Sequence, residues 1–491
     1  MSRALPLSAR LLRKKPVELL VSDTAGSDPA HGHLKRGITP FQLTMFGVGS
    51  TIGTGIFFVL AHTVPVAGPA VILSFVIAGM VAGLTALCYA EMASMIPVSG
   101  SSYSYAYATL GEGVAYFVAC CLILEYGISA AAVAVGWSGY LDKMFEIVLG
   151  SGLPPSLLSA PLVADGYSLA FGGEGVINLP AIILVLMCCL LLIRGSKESA
   201  KANAVMVLIK LGVLAMFVLV AVTGFSASNL QPFAPQGFAG ISAAAGTIFF
   251  TYVGLDAVST AGEEVENPKR NLPLAIIAAL IIVTTVYVLV ALTALGVQPA
   301  AGFEGQEAGL ATILQNLTGH DWPALLLAGG AVISVFSVTL VVLYGQTRIL
   351  FAMARDGMLP ELFYRVNPRT MSPVACTIVV AVFVGAIAAF VPDAVLWDLT
   401  SMGTLVAFTV VSAGVMILRR THPEMQRGFK VPFYPVLPIL SILSCLYLIC
   451  KLSVPTFELF GIWLVIAGIF YFAYSARNSR LEKTAVAAAR P

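Results

Sequence analysis

Twelve apolar runs set the terms on which this chain of 491 residues can fold. They fall at 40–67, 69–96, 113–140, 178–194, 201–223, 240–264, 271–297, 323–351, 374–391, 395–418, 434–451 and 456–476. Each is near the roughly 20 residues that cross a bilayer as a helix. A soluble globule is excluded by composition: 58% of the residues are hydrophobic and 11% are charged, where a soluble domain carries about 25% charged residues. Gly68-Pro69, Leu179-Pro180, Asn267-Pro268 and Ser372-Pro373 punctuate several run ends.

The positive charges alternate from side to side. With the N-terminus in the cytoplasm, 24 of the 27 Lys and Arg residues fall in cytoplasmic segments, Lys143 and Lys451 fall outside, and Lys210 lies within a run. Cytoplasmic loops carry the Lys and Arg excess, so this split predicts twelve spans with both termini inside. Residues 1–39 and 477–491 then read as cytoplasmic tails, the first basic and turn-rich with no apolar stretch of signal-peptide length. Arg13-Lys14-Lys15 reads as a solvated or lipid-facing anchor. The eight cysteines (Cys88, Cys120, Cys121, Cys188, Cys189, Cys376, Cys445 and Cys450) sit in apolar runs and read as packing residues. Of the histidines only His62 falls within a span. No metal, cofactor, hydrolytic centre or nucleic-acid partner is expected, and the chain does not read as an enzyme.

Spans one and six are interrupted at their middles by glycine. The first reads Gly47-Val48-Gly49-Ser50-Thr51-Ile52-Gly53-Thr54-Gly55-Ile56-Phe57, the second Phe249-Phe250-Thr251-Tyr252-Val253-Gly254-Leu255-Asp256-Ala257. Unwound backbone is tolerated in a bilayer only where it faces a cavity or ligand. A matched pair of broken helices in two halves of a chain points to a carrier's central binding site. Five spans counted from each break give repeats of 40–223 and 240–418. An odd number per repeat inverts the second relative to the first, and spans eleven and twelve (434–476) lie outside both.

The breaks supply charge complementarity without acidic or basic side chains. Amide hydrogens near Gly53, Thr54 and Gly55, at the start of a half-helix, attract a carboxylate. Freed carbonyls near Phe250, Thr251 and Val253 attract an ammonium. An α-amino acid presents both groups on one carbon. Packing of small residues alone would be the bland reading of a Gly-Thr-Gly, and two breaks at equivalent places weigh against it.

Charges inside spans are costly and usually functional, and three stand out. Glu125 either lines the cavity and exchanges a proton or ties helices together through hydrogen bonds. Lys210, about ten residues into span five, is a candidate proton-coupling group, with snorkelling or a fixed ion pair to an acid such as Glu125 as alternatives. Asp256 reads as a structural cap on the second half of span six, beside Gly254. Ser334, Ser337 and Thr339 offer hydroxyls to a sodium ion, the rival to coupling through Lys210. Glu263-Glu264 and the end of span eight (Tyr344 to Arg348, Arg355-Asp356) read as a gate or as a solvated turn.

These residues carry a resemblance. Gly53-Thr54-Gly55-Ile56-Phe57, Cys88-Tyr89-Ala90-Glu91, Pro97-Val98-Ser99-Gly100-Ser101, Leu124-Glu125-Tyr126-Gly127, the Phe249–Asp256 segment with Ser259-Thr260, Glu263-Glu264 and Tyr344-Gly345-Gln346-Thr347-Arg348 stand in order on the expected spans. From Arg13-Lys14-Lys15-Pro16 to about residue 475 the chain resembles the bacterial cationic amino acid transporter branch of the amino acid–polyamine–organocation superfamily. The resemblance implies an all-α integral membrane protein of twelve transmembrane helices. Its 5+5 inverted repeat would be of the leucine-transporter type, with helices 1 and 6 discontinuous and helices 11 and 12 added. It implies backbone contacts to substrate at Thr51, Thr54 and Gly55 and at Phe250, Thr251 and Val253, with Glu125 nearby and Lys210 at the place of a coupling cation. Thr51 and Thr251 stand where relatives often carry apolar residues, and Val341-Val342-Leu343 is bulky enough to disfavour a long cationic side chain. The expectation is proton symport of α-amino acids across a bacterial inner membrane, small neutral ones first and cationic ones second. An exchanger, a sodium-coupled carrier and, distantly, a membrane amino-acid sensor are the rivals. Whether a small accessory membrane protein joins spans five, eleven or twelve is left open.

Overall fold

The first apolar run folds as two helices with a break between them. In the computed structural model, which describes residues 11–20, 36–165, 168–172, 175–304, 309–391, 393–450, 452 and 454–481, helix α1 spans Pro40–Thr51 and α2 Thr54–Ala67. Lys451, most of both tails (with His31 and His33) and the side chains of Thr54, His62 and Lys143 lie outside the described residues. A capping box starts α1: Gln42 N donates to Thr39 Oγ1 and Thr39 N donates to the Gln42 side chain. Pro40 occupies the first turn, where its missing amide hydrogen costs nothing. At Ile52-Gly53 the helix leaves its ladder, and Gly53 carries a non-helical backbone with no side-chain cap on α2.

The chain continues through α3 (Val71–Met95), the short α4 (Ser101–Thr109), the long α5 (Glu112–Leu149), a hairpin of β1 (Leu162–Asp165) and β2 (Ser168–Phe171), α6 (Leu179–Ile193) and α7 (Ser196–Thr223). The second broken helix is α8 (Gly237–Phe249), a single 3-10 turn at Phe250–Tyr252, and α9 (Ala257–Thr260). Then follow α10 (Pro268–Val297), α11 (Gly309–Thr318), α12 (Asp321–Arg355), α13 (Val374–Phe390), α14 (Asp393–Thr421), α15 (Val436–Ile449) and α16 (Val454–Phe470). Among the described residues, eight stretches are long and apolar enough to cross a membrane, and α6, α13 and α15 are shorter apolar helices beside them. The hairpin pairs Leu162 with Phe171 and Asp165 with Ser168 in antiparallel register. It is the one departure from helix among the elements described.

Local contacts fix directions. Gly55 lies against Thr251 and Gly240 against Val66, so α2 runs antiparallel to α8. Ala70 N donates to Phe233 O, Ser74 Oγ donates to Ile241 O and Gly79 faces the Tyr252 hydroxyl, so α3 runs parallel to α8. Helices α2 and α3 therefore point in opposite directions, and the continuous apolar stretch Val59–Met95 turns over at Gly68, whose φ of +62° is a glycine conformation. On the other side of the break, Ser50 Oγ donates to Gly254 O at 2.7 Å and Gly47 lies against Val258. The two broken helices thus lie antiparallel, break against break.

One end of the bundle gathers both described ends of the chain and the paired charges. Arg348 Nε bonds Glu264 at 2.5 Å, and Arg355 holds Glu263 through two nitrogens at 2.9 and 3.0 Å. Both glutamates are buried, so this segment is an ion-paired junction and not a solvated turn: buried carboxylates persist where cations and hydroxyls neutralise them. The expected solvated tail is likewise corrected. Lys15 is buried and pairs with Asp356 at 2.5 Å, and Arg13 pairs with Glu112 at 3.3 Å. Lys14 alone of the three stays exposed.

The junction of the two breaks makes a direct prediction. Gly254 has φ +96°, and a Cβ there would sit 2.8 Å from Ser50 O. Gly254→Ala should destabilise the protein by about 1–3 kcal/mol, read as a lower melting temperature in detergent. An unchanged melting temperature would mean that the breaks do not need this close approach.

Candidate functional site

The end of α1 leaves backbone carbonyls without helical partners, and two side chains take them. Lys210, on α7 and 0% exposed, donates to Gly49 O at 3.0 Å, Ile52 O at 2.5 Å and Ser337 Oγ at 2.8 Å. Ser337 in turn donates to Ser334 O, and Ser334 donates to Ile52 O. An ammonium has three donors, and here each meets one acceptor. A neutral amine has two, so it would leave one acceptor bare. A cation at a helix C-terminus is also favoured by the helix dipole. No carboxylate pairs with Lys210 among the described residues. The alternative of a fixed ion pair with Glu125 is therefore not what this geometry holds.

Tyr287, on α10, supplies the second cap. Its hydroxyl lies 2.8 Å from Thr51 O and 3.0 Å from Thr251 O, so one O–H is shared between the carbonyl ends of both breaks. Phe250 O accepts from Val253 N, and Gly254 O accepts from Ser50 Oγ and Ala257 N. Of the carbonyls expected to be free, those of Phe250 and Thr251 are thus already engaged by Val253 N and Tyr287. Gly53 and Gly55 are where the backbones close up: a Cβ at Gly53 would lie 2.7 Å from Val338 Cγ2, and one at Gly55 2.8 Å from Thr251 Cγ2. The amide hydrogens at the start of α2 carry no side-chain cap.

A cleft opens between these breaks. Counted to its open mouth, and with the open space there included, its empty volume is about 450 Å³. Thr51, Gly53 and Gly55 line it from the first break, Phe250, Thr251, Val253 and Gly254 from the second, and Glu125 from α5. Ser50, Thr51 and Thr251 spend their hydroxyls on backbone carbonyls, leaving Val133, Val338 and Val342 as an aliphatic wall with Ser129 beside it.

Glu125 is 1% exposed, and neither of its carboxyl oxygens has a hydrogen-bond partner. Thr404, its polar neighbour, donates to Thr400 O. Next to it Tyr126 donates to Asp256 Oδ2 at 2.7 Å. Asp256 holds the position before α9, yet its side chain makes no capping bond. It ties α5 to the second break through Tyr126, because an acceptor buried at 3% exposure needs a donor and the tyrosine hydroxyl is in reach.

The cleft brings together Thr51, Gly53, Gly55, Phe250, Thr251, Val253 and Glu125, while Lys210 stands behind it on the far face of α1. Only the backbone of Thr54 is described. Tyr287 was not singled out by the sequence, and Tyr126 entered only as part of the Leu124–Gly127 motif, with no role given to it. A tyrosine in the middle of an apolar run, whose hydroxyl must find a partner, is the signal that marks them. Thr339 donates to Val335 O within its own helix, apart from the Ser334–Ser337 pair.

Comparison with known proteins places this geometry in a family. The family model for amino acid permeases matches residues 38–473. The chain is 41% identical to the branched-chain amino acid permease BcaP of Bacillus subtilis, over 97% of this chain and 100% of that one. It is also 41% identical to the methylthioribose transporter of the same organism, over 96% and 99%. With the vacuolar cationic amino acid transporter 2 of Arabidopsis thaliana it shares 37% identity over 85% of this chain and 64% of that longer protein. The chain belongs to the amino acid permease family, and is a multi-pass membrane transporter, not an enzyme.

Proposed function

We propose that the protein imports α-amino acids with small or branched aliphatic side chains, coupled to protons, by alternating access across a bacterial plasma membrane. The observation that carries the reading is the Lys210 ammonium seated on the carbonyl end of α1, directly behind the cleft. Protonated, Lys210 holds α1 against α7 and α12 through three bonds. Losing the proton removes one of them and loosens the half-helix. That couples a proton to the position of one wall of the site. The ammonium also fills the place beside Ser334 and Ser337 that a sodium ion would need, which favours the proton over sodium.

The proposed architecture is twelve spans with repeats at 40–223 and 240–418 and a final pair at 434–476. It is supported by the turn-over at Gly68, by the antiparallel pairing of the breaks, and by the meeting of both described chain ends at one end of the bundle, which requires an even number of crossings. With the Lys and Arg bias, that end is read as cytoplasmic. The uncapped amides of α2 and the carbonyls of Thr251 and Val253 suit a carboxylate and an ammonium on one carbon. The aliphatic wall of Val133, Val338 and Val342 suits a branched side chain, in line with the name of the B. subtilis relative.

Two outcomes test this. In proteoliposomes an inward proton gradient should drive uptake of labelled leucine or valine, an inward sodium gradient should not, and Lys210→Ala should lower proton-driven uptake about tenfold or more. Uptake driven by sodium, uptake seen only after preloading with amino acid, or strong competition by methylthioribose but not by leucine would overturn the reading. Tyr287→Phe removes the donor shared by Thr51 O and Thr251 O. Unmade buried hydrogen bonds cost about 1–3 kcal/mol, so KM for leucine should rise about tenfold in direct uptake assays, and an unchanged KM would remove Tyr287 from the site.

A further inference from the structure

The face that α7 turns to α1 carries Lys210 and, about 10 Å earlier along the helix, Asn203. Asn203, Val207 and Lys210 are each 0% exposed, and their spacing puts them on one stripe. Asn203 Nδ2 donates to Met45 O at 3.1 Å. Its Oδ1 has no hydrogen-bond partner among the described residues. The carboxamide lies against Gly49: a Cβ there would fall 2.7 Å from Oδ1 and 2.8 Å from Nδ2. Gly49 is also the residue whose carbonyl takes Lys210 Nζ at 3.0 Å. Asn203 and the lysine therefore meet on one residue of α1. A bare buried acceptor costs about 1–3 kcal/mol, and such groups ordinarily hold an ordered water.

Proton coupling at Lys210 requires a water. The three hydrogens of its ammonium point at Gly49 O, Ile52 O and Ser337 Oγ. Peptide carbonyls are not bases at neutral pH. Ser337 donates only to Ser334 O, and Ser334 to Ile52 O, so that chain also ends on carbonyls. A proton that leaves Nζ must go to a molecule outside this set. Asn203 and Met45 stand nearer than Lys210 to the base of α1, where Gly37 N and Ile38 N donate to Glu264 O beside the paired charges. Asn203 thus lies between the lysine and the end read as cytoplasmic.

We infer that Asn203 Oδ1 seats the water through which Lys210 releases its proton to the cytoplasm, which makes Asn203 a positioning residue for coupling. This rests on the proton-coupled reading given above. In the step, the Nζ–H bond breaks and its electron pair stays on nitrogen. An O–H bond forms on the water, which gives up another of its protons towards the cytoplasm. Oδ1 holds the water and stabilises its transient positive charge. A residue that only tied α7 to α1 through Met45 O would need no bare acceptor against Gly49.

The test compares two modes of transport in proteoliposomes of the full-length protein. Net uptake of labelled leucine under an inward proton gradient requires the carrier to release its proton in every cycle. Counterflow, with saturating leucine on both sides at equal pH, does not, because the protonated carrier returns loaded. Asn203→Leu should lower net uptake about tenfold or more while counterflow stays close to the wild-type rate. Asn203→Asp, which keeps an acceptor oxygen on the seam, should stay close to wild type in both modes. Equal loss of both modes in monodisperse Asn203→Leu would mean a structural tie and overturn the relay. Undiminished net uptake in Asn203→Leu, or net uptake abolished in Asn203→Asp, would overturn it as well. Each of these results leaves the permease reading standing. Wild-type uptake indifferent to the proton gradient would overturn the coupled reading itself, whatever the variants do.

Discussion

A lysine amine buried in the middle of a membrane protein, with no carboxylate beside it among the described residues, is the constraint on which the rest of this structure turns. Isolated charges in hydrocarbon are expensive, and Lys210 is tolerated because α1 ends where it does. Had α1 continued through Gly53 into α2, the carbonyls of Gly49 and Ile52 would be spent on helical amides. The break and the lysine are therefore mutually dependent. The break frees the acceptors, and the lysine makes unwound backbone affordable inside a bilayer. Tyr287 repeats the device with a hydroxyl, and reaches the second break as well.

The same logic accounts for the cleft. Two antiparallel helices that unwind at the same level place an amide end of one near a carbonyl end of the other. On the proposed reading, an amino acid would contribute the hydrogen-bonding capacity that the backbone lacks there. Residues with small side chains allow the approach, and the hydroxyls of Ser50, Thr51 and Thr251 turn back onto their own backbones or across the break. What remains facing the cavity is aliphatic and aromatic (Phe250 and Tyr126 among the lining residues), save for Ser129 and the carboxyl of Glu125.

Much of this was legible in the sequence. Glycine in an apolar run, a lysine ten residues deep and a lopsided Lys and Arg count each have few physical meanings in a bilayer, and they located both breaks and Lys210. Less legible was anything decided by tertiary partners. Asp256 has the residue type of a helix cap, yet Tyr126 claims it. Arg13-Lys14-Lys15 has the composition of a solvated tail, yet Asp356 and Glu112 claim two of its three charges. Tyr287 hides because a tyrosine in an apolar run is usually packing, and its role depends on two carbonyls 236 and 36 residues away. Spacing within one helix can be read from sequence, whereas pairing across hundreds of residues needs the fold.

The central claim is that a proton bound at Lys210 moves with the amino acid, and proton flux tests it most directly. Vesicles loaded with a pH-sensitive dye are held at equal pH on both sides and given an inward leucine gradient. The account predicts that the lumen acidifies as leucine enters, and that Lys210→Ala abolishes the acidification. Leucine entry at the wild-type rate with no change in lumenal pH would contradict it.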